Sequence, residues 1–284
     1  MTAKRVATAL VLMPAVVAIV LFAPTWLLAI ATAVITILAL REYFALGDAI
    51  GHRAYRLWTI FCSLLLILIQ WLDASPHGAT DHVSLFHGHY YGEPPSVEGV
   101  LMLFVLGVTC IALWTKRPLV ETLPAAGISS SALLLITLPL SFAIRLHGVG
   151  ARFLLFALGI TWAADTTAYF VGRAIGKHPL APHISPKKTW EGSMGSMIGS
   201  LAVAYAFSFW LHFPLVHLLL MAVAGNIAGQ MGDLLESAYK RSAGVKDSGG
   251  LLPGHGGMLD RIDALILCIP VIWYYLILVD PLIS

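Results

Sequence analysis

Apolar residues in this chain run in long unbroken stretches, and the polar residues gather between them. Nine apolar runs can be drawn, at roughly 6–23, 25–40, 57–72, 99–115, 123–144, 152–171, 193–211, 214–235 and 264–280. Each approaches the about 20 residues that a helix needs to cross a bilayer. Polar and apolar positions do not alternate within the runs, so the strands of a closed barrel are excluded and helices are predicted. The first two runs meet at Pro24-Thr25 and predict a tight hairpin. The expected fold is an all-α integral membrane protein with about nine transmembrane helices. The pattern divides it into residues 1–150, spans 1–5 with a long loop at 73–98, and residues 151–284, spans 6–9 with polar loops at 172–192 and 236–263.

Composition agrees with the pattern. Of 284 residues, 58% are hydrophobic and 11% charged, and the mean hydropathy of +0.84 is one that soluble domains seldom reach. The net charge of +2 is uninformative, but its distribution is not. With the N-terminus in the cytoplasm and the C-terminus outside, nine spans place all Lys and Arg inside except Arg145 and Arg152. The positive-inside rule therefore predicts this orientation, with loops 172–192 and 236–263 facing the cytoplasm. The loop at 73–98 lacks Lys and Arg, as an exterior segment should. Its His77, His82, His87 and His89 could hold a metal, although a hydrated Pro/Gly-bearing exterior loop is the simpler reading. Cys62, Cys110 and Cys268 lie in apolar runs without metal-ligand spacing and read as small hydrophobes. No small-residue cleavage site follows the first run, so it reads as a span or a signal anchor. No 20–50-residue repeat is visible.

Candidate chemistry concentrates in the second half. Asp165 lies inside the sixth run, and Asp233 and Glu236 lie at the end of the eighth. A carboxylate in a span is costly unless it faces a cavity, a partner or an ion. In the loop 172–192, the prolines argue against regular helix. Ser185, Lys187, Lys188 and Thr189 combine hydroxyls and cations suited to phosphate oxygens, or to an anionic membrane surface. The segment Ser237–Asp263, SAYKRSAGVKDSGGLLPGHGGMLDRID, is a dense polar island between apolar flanks. Gly254, Gly256 and Gly257 let backbone N–H groups approach an anion, and a helix starting near Met258 points its N-terminus at the same place. If the loop folds back, the carboxylates of Asp233 and Asp260 meet, and hard oxygen ligands beside nucleotide phosphates suggest Mg²⁺. GxxxxGK[ST] and the protein-kinase motif set are both absent.

The island resembles the signature of the phosphatidate cytidylyltransferases (CDP-diacylglycerol synthases). In that signature Ser-x-apolar-Lys-Arg, Lys-Asp, a Gly-His-Gly-Gly turn and Asp-Arg-apolar-Asp follow one another, as they do from Ser237 to Asp263. The lead-in Gly232-Asp233 to Glu236-Ser237, the segment Asp165–Tyr169 and the loop Ile184–Gly192 are similar to the family as well. Tyr239 and Thr167 are mild departures that remove no charge. The resemblance covers residues 150–284 by motif and the rest by multi-span character.

It implies transfer of CMP from CTP, or dCTP, to phosphatidate in a bacterial cytoplasmic (inner) membrane, for phospholipid biosynthesis. Mg²⁺, or Mn²⁺ in its place, is the implied cofactor, a homodimer is a further implication, and no nucleic-acid partner is expected. On this reading Asp233, Asp260 and Asp165 are the expected metal ligands. Lys246, Asp247, His255, Arg261 and Asp263 are the expected catalytic group. Ser185, Lys187, Lys188, Thr189, Ser237, Lys240, Arg241, Gly256 and Gly257 are expected to bind substrate. A CTP-dependent transferase or kinase acting on another lipid, and a transporter using Asp165 and Asp233 as an ion path, are the competing readings.

Overall fold

A computed structural model describes residues 13–74, 96–250 and 256–283, the last four by backbone alone. Among the described residues, eight helices are long and apolar enough to cross a membrane. They are α2 (Thr25–Ala49), α3 (Arg56–Ala74), α4 (Val97–Trp114), α5 (Leu119–Val149), α6 (Ala151–Ile175), α7 (Trp190–Leu211), α8 (Leu215–Ser242) and α9 (Leu259–Ile283). A shorter apolar helix, α1 (Met13–Phe22), precedes them. It falls in the first expected run, whose residues before Met13 lie outside the described residues, as do His77, His82, His87 and His89.

The helices outrun the apolar stretches that announced them. The loops expected at 172–192 and 236–263 lose their ends to helix, because α6 continues to Ile175, α7 begins at Trp190, and α8 continues to Ser242. Hydropathy marks the part of a helix that sits in hydrocarbon, whereas the backbone ladder continues through amphipathic turns beyond it. Glu236, Ser237, Lys240 and Arg241 therefore stand on the last turns of α8 rather than in a loop.

Two compact units form. One takes in the described residues up to Leu21 and from Gly150 onward, and the other is Phe22–Val149. In the second unit, Cys62, Leu66 and Ile69 of α3 pack with Val100 and Phe104 of α4 and Leu133 of α5. Polar residues lock the same helices together. Ser63 Oγ lies 2.9 Å from Thr137 Oγ1, Gln70 donates to Ser141 Oγ at 3.1 Å, and Arg145 reaches Asp73 at 2.5 Å. A π-helical turn at Leu133–Thr137 widens α5 just ahead of Pro139, whose ring an unbroken α-ladder would force against the preceding turn.

The first unit carries the polar motifs. Helices α6 and α7 pack closely, and Gly199 is what permits it. A Cβ there would lie 2.8 Å from Thr167 Cγ2 and 3.0 Å from the Ala163 carbonyl oxygen. Between these helices the loop, which the prolines were expected to keep from regular helix, forms a small antiparallel hairpin, β1 (Pro179–Ala181) and β2 (Ser185–Thr189), in which Pro179 faces Thr189 and Ala181 faces Ser185. Its end is fixed to α7 at two points. Thr189 Oγ1 caps the helix by accepting from Gly192 N at 3.1 Å. The Glu191 carboxylate accepts from the backbone of Lys177 and His178, at 3.1 and 3.3 Å, and lies 2.6 Å from His178 Nδ1.

Candidate active site

Helix α8 carries a polar stripe in an otherwise apolar sequence. Asn226, Gln230 and Asp233 recur at spacings of four and three, and so share a face. Asn226 and Gln230 bind the small hydroxyls of α7. Gln230 Nε2 donates to Ser196 Oγ at 2.9 Å, Gln230 Oε1 accepts from Ser193 Oγ at 2.6 Å, and Asn226 Nδ2 donates to Ser200 Oγ at 2.8 Å. This buried ladder satisfies both amides and rigidly joins α7 to α8.

Beside the stripe lies a cavity of about 440 Å³. Asp165, Tyr169 and Arg173 of α6, Lys187, Lys188 and Thr189 of β2, and Gln230 and Asp233 of α8 contribute to its wall. Tyr169 and Arg173 stand one helical turn apart, and Arg173 Nη1 donates to the Tyr169 hydroxyl at 3.0 Å. The hairpin delivers Lys188 to an ion pair with Asp233. A cation suited to phosphate and a carboxylate suited to a metal thus meet at the cavity.

Three carboxylates converge around Asp233, which belongs to the cavity wall. Oxygens of Asp233 and Glu236 on α8 and of Asp263 on α9 lie within 4.8 Å of one another. Such a set of like charges is held together by cations or by a metal. Glu236 is 3% exposed, and its buried Oε1 has no hydrogen-bond partner. Its ionic partner is Lys240, whose Nζ lies 2.5 Å from Oε2. The donor chemistry, all hard oxygen with unspent acceptor capacity, fits a divalent cation.

Asp260 does something different from what its spacing suggested. Its Oδ1 takes Lys240 Nζ at 2.5 Å. Its Oδ2 accepts from Ser248 N at 3.1 Å, Ser248 Oγ at 3.0 Å and Gly257 N at 2.8 Å. Gly256 is required beside it, since its φ is +77° and an added Cβ would lie 2.6 Å from Asp260 Oδ2. Asp260 therefore ties the polar island to the start of α9. Asp263, one turn further along the same face, joins Asp233 instead. The chain does fold back as expected, but the register of α9 decides which of the two carboxylates joins Asp233 and Glu236.

The other expected residues divide in the same way. Asp165, Lys187, Lys188, Thr189 and Asp233 come together at the cavity. Ser185 opens β2, half-buried, and Ser237 is buried on α8 beside Glu236. Lys240 bridges Glu236 and Asp260. Arg241 donates to the carbonyls of Ile184 and Val245, at 3.3 and 3.0 Å, and links the hairpin turn to the island. Arg261, Lys246 and Asp247 are exposed, and His255 lies outside the described residues. Sequence reasoning did not place Glu236 among the site residues, nor did it find Gln230, Arg173 or Tyr169. The four-residue spacings Asn226–Gln230 and Glu236–Lys240 were the available signal.

A cavity between membrane-length helices, walled by paired lysines and by one member of a carboxylate trio, is the kind of site expected of an enzyme acting on phosphate groups at a bilayer surface. The chain belongs to the cytidylyltransferase family, whose model matches residues 3–279. It is 33% identical to the phosphatidate cytidylyltransferase of Haemophilus influenzae over 97% of this chain and 98% of that protein. It is 43% identical to the phosphatidate cytidylyltransferase of Bacillus subtilis over 47% of this chain and 51% of that one. The protein of that name from Staphylococcus epidermidis is 47% identical over 43% of this chain and 48% of its own length, so the chain spans about half the length of the staphylococcal and Bacillus relatives in these alignments.

Proposed function

We propose that this chain transfers CMP from CTP to phosphatidate, giving CDP-diacylglycerol and pyrophosphate. The observation that carries the reading is the junction of Asp233 with Lys188 at the cavity, with Glu236 and Asp263 grouped around Asp233. A phosphate oxygen of phosphatidate attacks the α-phosphorus of CTP in line. The bond from that phosphorus to the oxygen bridging to the β-phosphate breaks, and pyrophosphate departs with the bonding pair. The nucleophile is already anionic, so no general base is needed, and the protein contributes positioning and charge neutralisation.

In this mechanism Lys187 and Lys188 hold phosphate oxygens at the cavity wall, and Arg173 stands on the same wall to add a planar, bidentate donor. Asp233, Glu236 and Asp263 would hold Mg²⁺, with Asp165 across the cavity. When bound, the ion neutralises negative charge on the phosphates of the nucleotide. Lys240, Asp260 and Ser248 position the island so that Asp263 meets α8. The orientation that agrees with the charge distribution places the cavity on the cytoplasmic side of a bacterial inner membrane, where CTP is available. Phosphatidate would keep its acyl chains in lipid while its phosphate enters the cavity.

The test is purified full-length protein in detergent with phosphatidate, Mg²⁺ and each of CTP, dCTP, ATP, GTP and UTP, read as lipid-linked nucleotide and released pyrophosphate. CMP-bearing lipid with CTP or dCTP alone, lost in Asp233→Asn, is the expected result. A phosphorylated lipid without CMP would establish a kinase instead. Folded protein that forms no product but moves ions into sealed vesicles in an Asp233-dependent way would overturn the transferase reading.

A further inference from the structure

A second cavity, of about 620 Å³, lies wholly within the unit Phe22–Val149. It sits where α2 ends, α3 begins, α4 ends and α5 starts, so it belongs to one membrane face of that unit. Three arginines line it, Arg53, Arg56 and Arg117, with Asp48 the one acid in the wall. That acid is already engaged, because Asp48 pairs with Arg56. The nearby carboxylate of Glu121 is taken up too, 3.2 Å from His52 Nδ1. Among the described residues no carboxylate pairs with Arg53 or Arg117.

Arg117 is held in place without being neutralised. Its Nη1 donates to the Arg53 carbonyl at 2.7 Å, and its guanidinium lies over the Tyr55 ring at 5.3 Å. These contacts orient the fork and leave its charge unspent. Tyr55 is 5% exposed, and its buried hydroxyl has no hydrogen-bond partner. The rim of the cavity is apolar. Leu57, in the wall, is 87% exposed, and Trp114, one turn beyond the wall residue Ile111 at the end of α4 where interfacial aromatics belong, is 79% exposed. Cations at the mouth and exposed apolar side chains beside it form one surface with two chemistries.

We propose that this cavity binds the headgroup of an anionic glycerophospholipid, with its phosphate between Arg53 and Arg117 and its acyl chains against Leu57 and Trp114. A free phosphate would satisfy the guanidiniums but not the apolar rim, and a zwitterionic lipid would bring a choline beside two unpaired cations. The site is separate in composition from the one assigned to catalysis and does not depend on that assignment.

The probe is phosphatidylglycerol, a diester that lacks the terminal phosphate on which the proposed reaction depends. Native mass spectrometry of the detergent-purified full chain would count retained lipid during titration, with phosphatidylcholine and sn-glycerol 3-phosphate as the other arms. Arg53→Gln removes a cation without disturbing any described side-chain contact, and should weaken phosphatidylglycerol binding about fivefold, the effect of one basic residue at a lipid surface. Arg53→Gln with Arg117→Gln should weaken it about 25-fold on the same scale. Lys116→Gln, an equal loss of charge next to but outside the cavity, should change it less than twofold. Equal losses in Lys116→Gln and Arg53→Gln, or equal retention of phosphatidylcholine, would overturn the proposal. Competition by glycerol phosphate at the same concentration as the lipid would make this a site for free phosphate and would overturn it as well. Thermal unfolding of each variant separates lost binding from lost folding, and Arg53→Gln alone decides the matter if the double variant does not fold.

Discussion

Replacing Asp260 by Asn tests whether this carboxylate holds the polar island or a metal. The two side-chain oxygens of Asp260 receive four hydrogen bonds, one from the Lys240 ammonium and three from Ser248 and Gly257. An amide can keep the three donors on its oxygen, but then its NH₂ faces Lys240 Nζ, donor to donor. The side chains of Lys240 and Asp260 are each 11% exposed, so solvent compensates little. Removing one partner of a buried pair costs about 3–5 kcal/mol, and Lys240 keeps Glu236, so about 2–3 kcal/mol is the expected loss. The segment that loses this anchor is Ala243–Gly250, so its local opening should increase about 30- to 150-fold. Amide hydrogen exchange across that segment reads the opening directly, and turnover against Mg²⁺ concentration reads the consequence. Turnover should fall at least about tenfold and stay low at saturating Mg²⁺, because displacement of Asp263 rather than loss of a ligand is the cause. Asp263→Asn should instead raise the Mg²⁺ concentration needed for half-maximal rate and leave exchange in Ala243–Gly250 unchanged. If Asp260→Asn shifts the Mg²⁺ requirement as Asp263→Asn does while the segment keeps its protection, the positioning argument is wrong.

Three further outcomes are expected. Gly199→Ala should lower the thermal midpoint in detergent by several degrees, because its Cβ would press on Thr167 and Ala163, whereas Gly127→Ala, with nothing within 4 Å, should change it little; circular dichroism melts compare them. Thr189→Ala should cost about 1 kcal/mol of helix stability through loss of the α7 cap and should lower turnover, while Thr189→Ser retains both, measured by urea-dependent unfolding and by the transfer assay. Glu191→Gln should loosen the hairpin from α7 and raise the KM for CTP more than it lowers kcat, since the lysines on β2 bind phosphate less well when untethered; an unchanged KM would sink that assignment.

Much of the membrane fold is legible in the sequence because apolar runs of span length have few alternatives in lipid. Runs two to nine each fall on a long helix, and their polar flanks mark where candidate chemistry gathers. The hairpin was not legible. Ser185–Thr189 is short, and its pairing with Pro179–Ala181 depends on the Glu191 and Thr189 anchors rather than on strand propensity. The extent of α8 was underestimated because Glu236 and Lys240 end a hydropathy window without ending a helix, and with it went the role of Glu236.

The sequence alone determined that this chain is built of apolar helices long enough to cross a membrane, that its cations gather in alternate loops between the apolar runs, and which polar segments carry the family's motif. Those properties follow from the transfer energies of residues taken in order along the chain. Only the tertiary structure decided that Asp263 rather than Asp260 meets Asp233 and Glu236, that Lys240 is consumed between two acids, and that a hairpin delivers Lys188 to the cavity. Asp260 and Asp263 lie on the same helical face, and spacing cannot separate them. The turn of α9 against α8, set by side-chain packing between distant parts of the chain, chooses the one that faces the site.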